Sequence, residues 1–152
     1  MNDKYEIVIV KFGTRQTVRS EVYLNYPLYH EEDGPIGMDY FVWIIRNAER
    51  TILVDTGFSA AGGAARKRTT LIPPMEAYAA LGVTPESAPP IVITHAHYDH
   101  TGHLAQFPSS QIVIARANSA DPRKDTAASS RDGRAGATMA RPTVQGRLWF
   151  VC

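Results

Sequence analysis

Residues 91 to 106 read IVITHAHYDHTGHLAQ, and no other stretch restricts the fold as tightly. The β-branched triplet Ile91-Val92-Ile93 reads as a short buried strand, and it runs directly into His95, His97, Asp99 and His100. Side chains two apart on an extended segment point the same way and lie roughly 6.5–7 Å apart along the chain. His95 and His97 therefore leave the strand end on one face, near enough to grip a single ion. Asp99 and His100 follow where the chain must turn, and Thr101-Gly102 begins a short helix. Imidazole nitrogen and carboxylate oxygen both ligate zinc. A lone His-x-His usually marks a solvated strand end, but the closed spacing His-x-His-x-Asp-His behind an apolar strand points to a metal site. His103, three residues on, falls on the following helix and reads as a packing residue, or one supporting the ligands from behind, rather than as a ligand.

The run Thr94-His95-Ala96-His97-Tyr98-Asp99-His100-Thr101-Gly102 resembles the signature of the metallo-β-lactamase-fold hydrolases, and its surroundings look most like the N-acyl homoserine lactonase branch. The resemblance spans roughly residues 5 to 116. Its motif is specific for the superfamily and only weakly specific for a substrate. The implied fold is α/β, the first half of an αββα sandwich with a mixed sheet and outer helices. Two zinc ions about 3.5–4 Å apart are implied, His95 and His97 serving one, Asp99 and His100 the other. A second family motif, Asp55-Thr56-Gly57, implies that Asp55 supports the metal histidines from behind. By itself Asp55, a carboxylate ending an apolar strand, would read as a turn cap.

The rest of the chain fits around this centre. Ile7-Val8-Ile9-Val10 reads as a buried strand, and residues 11 to 22 as its continuation into a hairpin around Gly13. Tyr23 to Gly37 reads as a loop, from Pro27, Glu31-Glu32-Asp33 and Gly34-Pro35, with His30 a solvated loop histidine. Tyr40–Ile45 and Thr51–Val54 read as strands joined by the polar turn Asn47–Arg50, a β-hairpin. Residues 58 to 72 read as a Gly/Ala-rich loop. Its basic run Arg66-Lys67-Arg68 is most simply solvated, with contact to an anionic substrate as the alternative. Pro73 to Gly82 has a helix's proline start, apolar spacing and glycine stop. Helix is also expected over Thr101 to Phe107, and strand over Gln111 to Ala115.

From residue 117 the pattern ends. Until Leu148 there is neither an apolar period, nor a histidine, nor an aromatic residue, so residues 117–152 are expected to be an irregular, disordered or out-of-frame tail. Basic residues number ten against twelve acidic through residue 116, and six against three beyond it. The family's second half would add a third histidine to the first metal, a bridging aspartate and a last histidine. No such histidine follows residue 116, and a truncated hydrolase is the expectation.

The resemblance implies hydroxide attack, from the metal, on the carbonyl of a lactone such as an acyl homoserine lactone. Asp99 is the implied catalytic residue, orienting the nucleophile and passing its proton to the leaving alkoxide. Impairment by truncation is expected. A glyoxalase II-like thioesterase shares the motif, and a non-catalytic metal-binding fragment is the third reading. An iron oxygen-reductase is disfavoured, since that branch carries glutamate where His97 stands. A net charge of +1 disfavours nucleic-acid and membrane-surface partners, leaving a small-molecule ester, lactone or thioester as partner. A homodimer is expected if one sheet face lacks its facing layer. The single cysteine, Cys152, excludes an internal disulfide and fits a reducing compartment. The N-terminal apolar run is too short for a signal-peptide core, so the expected location is cytoplasmic.

Overall fold

The computed structural model describes residues 4–115 and the strand Leu148–Val151. Strands β1 (Glu6–Val18), β2 (Pro35–Arg46) and β3 (Thr51–Val54) come first, then helix α1 (Ala60–Ala64) and the two-residue strand β4 (Thr69–Thr70). Helix α2 (Pro74–Ala80), β5 (Ile91–Ile93), α3 (Tyr98–Thr101), β6 (Ile112–Ala115) and β7 (Leu148–Val151) follow. The strands form one mixed sheet in the order β4-β1-β2-β3-β5-β6-β7, which makes the described residues an α/β fold. Among them no helix is long and apolar enough to cross a membrane.

Alternation along the strands sorts the apolar residues onto two faces. Val42, Ile44, Leu53, Ile91, Ile93, Ile112 and Ile114 point to the side covered by Phe58, Tyr78, Leu104 and Phe107, and all are buried. Each such aliphatic side chain contributes about 1.5–3 kcal/mol by leaving water. The hairpin of β2 and β3 turns where expected: Asn47 N–H donates to the Arg50 carbonyl at 3.0 Å, and the Asn47 side chain accepts from the Glu49 and Arg50 amides.

Three expectations need correction. No hairpin turns at Gly13. Instead β1 runs unbroken from Glu6 to Val18 against β2, with its register shifting between Lys11 and Gly13. The glycine is needed for packing rather than for a turn, because a Cβ there would come within 2.6 Å of the Phe58 ring. The Gly/Ala-rich stretch is not all loop either. Ser59 caps α1, accepting from the Gly62 amide at 3.1 Å, and Thr69-Thr70 pairs with Gly13 and Thr14. Finally, the tail is not irregular throughout: Leu148–Val151 pairs parallel with β6. Its four apolar, β-forming residues suit the edge that β6 would otherwise present. Residues 117–147, expected to be irregular, and Cys152 lie outside the described residues.

β3, β5, β6 and β7 are mutually parallel, so their C-terminal ends share one edge of the sheet. Open parallel sheets place ligand sites at this edge, and here Asp55 and Thr94 follow β3 and β5.

Candidate metal centre

The centre is built by two loops held back to back. Asp55 leaves β3 with a left-handed backbone (φ 62°), which a short polar side chain tolerates better than most. Its amide still continues the parallel ladder, donating to the Val92 carbonyl at 2.9 Å. Its carboxylate is fully buried. One oxygen accepts the Thr94 amide at 2.9 Å; the other accepts the Thr94 hydroxyl and His100 Nδ1–H, each at 2.8 Å. The Tyr78 hydroxyl, from α2, donates to the Asp55 carbonyl at 2.9 Å. A buried charge persists only with such a complement of donors.

Thr56 and Gly57 clamp the second loop. The Thr56 amide and hydroxyl both donate to the His100 carbonyl, at 2.7 and 3.0 Å, and the Thr56 hydroxyl accepts the His103 amide at 3.2 Å. The Gly102 amide donates to the Gly57 carbonyl at 2.8 Å. A Cβ at Gly102 would lie 2.6 Å from both the Gly57 oxygen and the Ser59 nitrogen. Backbone atoms cannot step aside, so only glycine lets the loops approach.

This clamp sets the ligand candidates. His97 is extended at the start of α3, and its carbonyl accepts the His100 and Thr101 amides, which turns His100 back toward Asp55. His95 Nε2 and His97 Nδ1 face each other at 3.0 Å. His100 Nε2 lies 3.7 Å from Asp99 Oδ2. Two donors on one tetrahedral zinc lie about 3.3 Å apart, so each pair has the spacing and chemistry to share an ion. The His95 and His100 rings are 3.9 Å apart between centroids, which sets the two pairs side by side. Among the described residues no three His, Cys, Asp or Glu side chains converge on one point.

Proton placement follows from the partners. With Nδ1–H committed to Asp55, His100 presents the Nε2 lone pair outward, as a metal ligand must. Thr94 Oγ stands 3.3 Å from His95 Nδ1 and 3.1 Å from His100 Nδ1, so one hydroxyl adjoins Asp55 and both rings. Burial, reinforced by the charges of His100 and His97, pushes the His95 pKa down and favours its neutral, ligating form. For His100 burial acts in the same sense, but the hydrogen bond and charge of Asp55, with the charge of Asp99, raise the pKa overall.

His103 is occupied, its Nε2 at 3.1 Å from the Phe58 carbonyl and its Nδ1 at 3.0 Å from Gln106 Nε2, which fits its reading as a packing residue. His30 stands exposed after a 3-10 turn, Tyr26–Tyr29, in the β1–β2 connection. Thr94 and Tyr78 are contributors that the spacing argument did not weigh. A hydroxyl directly before the first histidine was the available signal for Thr94. Nothing local marks Tyr78.

Known proteins match both the sequence and the fold. The model of the metallo-beta-lactamase superfamily matches residues 37–137. A mouse (Mus musculus) protein, metallo-beta-lactamase domain-containing protein 1, is 41% identical over 64 residues, which are 42% of this chain and 21% of that protein. A quorum-quenching N-acyl homoserine lactone lactonase superposes with a TM-score of 0.66 at 16% identity, covering 95% of this chain and 56% of its own. A dizinc quorum-quenching lactonase, solved with its product, gives a TM-score of 0.54 at 19% identity, with 79% of this chain and 46% of that one covered. At these identities the likeness is one of fold, and the chain spans little more than half the length of the first of these lactonases. With the family motif on a sheet of this order, the chain belongs to the metallo-beta-lactamase superfamily.

Proposed function

We propose that the chain carries the metal-binding half of a zinc-dependent hydrolase that opens a lactone, with an acyl homoserine lactone as the type substrate. The observation that carries this reading is the facing of His95 Nε2 and His97 Nδ1 at 3.0 Å, beside a His100 held by a buried Asp55. His95 and His97 would hold one ion, Asp99 and His100 a second. Metal so held supplies Lewis acidity, acidifying water and polarising a carbonyl. The chain's own residues do the rest. Asp55 fixes the ring of His100, Thr94 ties that carboxylate to the neighbouring strand, and Asp99 orients the attacking water and carries its proton to the leaving oxygen. A small-molecule substrate and a reducing, cytoplasmic setting belong to the same reading.

Among the described residues each ion would find two donors, short of the three that catalytic zinc usually keeps. Loose positioning alone costs on the order of a hundredfold in rate. The 152-residue chain is therefore expected to bind zinc measurably and to hydrolyse lactones at or near background. Calorimetric zinc titration of the wild type and of the His95→Ala, His97→Ala double variant tests the site: binding should vanish in the variant. A lactone and thioester panel tests the chemistry. Absence of zinc binding in the wild type removes the proposal. Thioester turnover without lactone turnover replaces it with the glyoxalase II-like reading.

A further inference from the structure

β1 and β2 run on past the end of β3, where Trp43 pairs with Val54, as far as the pair Val18–Pro35. Their connection therefore projects from the sheet edge that carries Asp55. Backbone bonds hold it in shape. The Val22 and Tyr23 amides both donate to the Arg19 carbonyl, at 3.0 and 2.9 Å. Left-handed residues, Asn25 (φ 59°) and His30 (φ 53°), bracket the 3-10 turn Tyr26–Tyr29. A 3-10 turn repeats about every three residues, and Tyr23, Tyr26 and Tyr29 recur at that interval, which brings their rings together.

The Tyr23 and Tyr26 rings lie near parallel, 18° between planes, with centroids 6.3 Å apart. Tyr29 stands at 84° to Tyr26, with centroids 5.9 Å apart, so the rings form a corner. The Tyr26 hydroxyl donates to the Glu32 carbonyl at 2.7 Å and the Tyr29 hydroxyl to the Leu24 carbonyl at 3.3 Å, which fixes both rings. Tyr26 is buried, whereas Tyr23 and Tyr29 are exposed. The three rings line an open cleft of about 410 Å³ together with Arg19 and Glu31, a volume in the range of small-molecule sites. Arg19 Nη1 donates to Glu31 Oε2 at 3.3 Å, and both side chains are exposed.

We infer that this cleft is a binding site for a neutral saccharide. One guanidinium and one carboxylate cancel, so an anion there meets Glu31 and a cation meets Arg19. A neutral ligand that both donates and accepts uses the pair as it stands. A guanidinium has five N–H donors and a carboxylate two acceptor oxygens, and the Arg19–Glu31 bond uses one of each. Adjacent hydroxyls of a sugar ring fit that donor and acceptor side by side. The sugar's C–H-bearing face suits the electron-rich face of an aromatic ring, and the exposed Tyr23 and Tyr29 rings supply two such surfaces. A proline-rich peptide also packs on aromatic rings, but its carbonyls need donors, and the Tyr26 and Tyr29 hydroxyls are committed to backbone. No lining residue is a metal-donor candidate, so the inference stands apart from the hydrolase reading.

The full 152-residue chain is titrated with cellobiose, maltose and lactose, and with cellohexaose as a longer probe, while the tyrosine ring resonances are followed by NMR. Saturable shifts of Tyr23 and Tyr29 with at least one sugar are expected in the millimolar range, the affinity of an open site with few contacts. Tyr29→Ala should weaken binding about fivefold, as loss of one ring contact implies, whereas Tyr29→Phe, which keeps the ring, should retain it. Glu31→Ala should weaken it about tenfold. Both positions are exposed, so these variants should melt close to the wild type and bind zinc equally. Affinity that rises from cellobiose to cellohexaose assigns a sugar unit of a polymer, and equal affinity a free sugar. Absence of saturable binding by every sugar overturns the inference, as does equal binding by wild type, Tyr29→Ala and Glu31→Ala. Preference for tetramethylammonium or hexaproline over the sugars also overturns it, in favour of a cation cage or a peptide groove. Zinc binding without sugar binding sinks this inference alone, and sugar binding without zinc binding sinks only the hydrolase reading.

Discussion

A buried carboxylate is costly unless donors meet both its oxygens, and at Asp55 the donors come from the segments that must be joined. Thr94 belongs to the end of β5 and His100 to α3, so one side chain closes the gap between them. Asp55→Asn is the informative change. Asparagine accepts the left-handed backbone and keeps one oxygen for the Thr94 amide. It replaces the second oxygen by an NH2 group, which has nothing to offer His100 Nδ1–H. Zinc affinity should fall about ten- to a hundredfold, the usual effect of losing a ligand's orienting partner, with the far-UV circular dichroism spectrum unchanged. Equal zinc titrations for the two proteins would reduce Asp55 to a clasp between loops. That His95, His97, Asp99 and His100 lie close together was legible in sequence, because six consecutive residues carry them and local geometry groups them. Thr94 and Tyr78 were not, because their roles depend on which elements lie beside β3.

At the scale of elements, long apolar alternation was easy to read and interruptions were not. The β2–β3 hairpin announces itself by two apolar runs and an Asn-led turn. The continuation of β1 past Gly13 does not, since a glycine chosen to admit the Phe58 ring looks the same in sequence as one chosen for a turn. The connection from β1 to β2 is likewise more ordered than its composition implies. The Arg19 amide donates to the Gly34 carbonyl at 3.0 Å. Asp33 accepts from the Ser20 hydroxyl and from the Ser20 and Gly34 amides, the latter two at 3.1 and 2.9 Å. These bonds, the Ser20 hydroxyl first, hold the Asp33 pKa below the usual value of 3.8. A lowered carboxylate pKa stabilises the fold above the unfolded value and stops doing so as pH falls through the folded one. The latch should therefore hold at neutral pH and open only below about pH 4. The Ser20 and Gly34 amide shifts should report this titration with a midpoint under 3.8. A midpoint at or above that value would show the latch to be absent in solution, and Asp33→Ala should give the open-state shifts at every pH.

For the whole molecule, the governing fact is that, among the described residues, the packed helices and their aromatic side chains lie on one face of the sheet. The strand register aligns Ile9, Trp43, Val54, Val92 and Val113 in one row across β1, β2, β3, β5 and β6, and Ile7, Ile45 and Ile52 in the next. These side chains alternate with the buried core residues, so they point away from it. None is fully buried, and Ile7 and Ile9 are 61% and 60% exposed. Layered folds bury each apolar sheet face against another layer, and exposed apolar patches beyond a few hundred Å² promote association. A second copy of this chain, offering the same face, is the partner we predict. Sedimentation velocity across the micromolar range should show concentration-dependent self-association. Ile7→Glu combined with Ile9→Glu should abolish it by placing charge in the middle of the contact. Both residues are solvent-exposed in the single chain, so the double variant should melt within a few degrees of the wild type's dissociated form. A wild type that stays monomeric at all concentrations and melts cooperatively would mean that the face is closed within one chain.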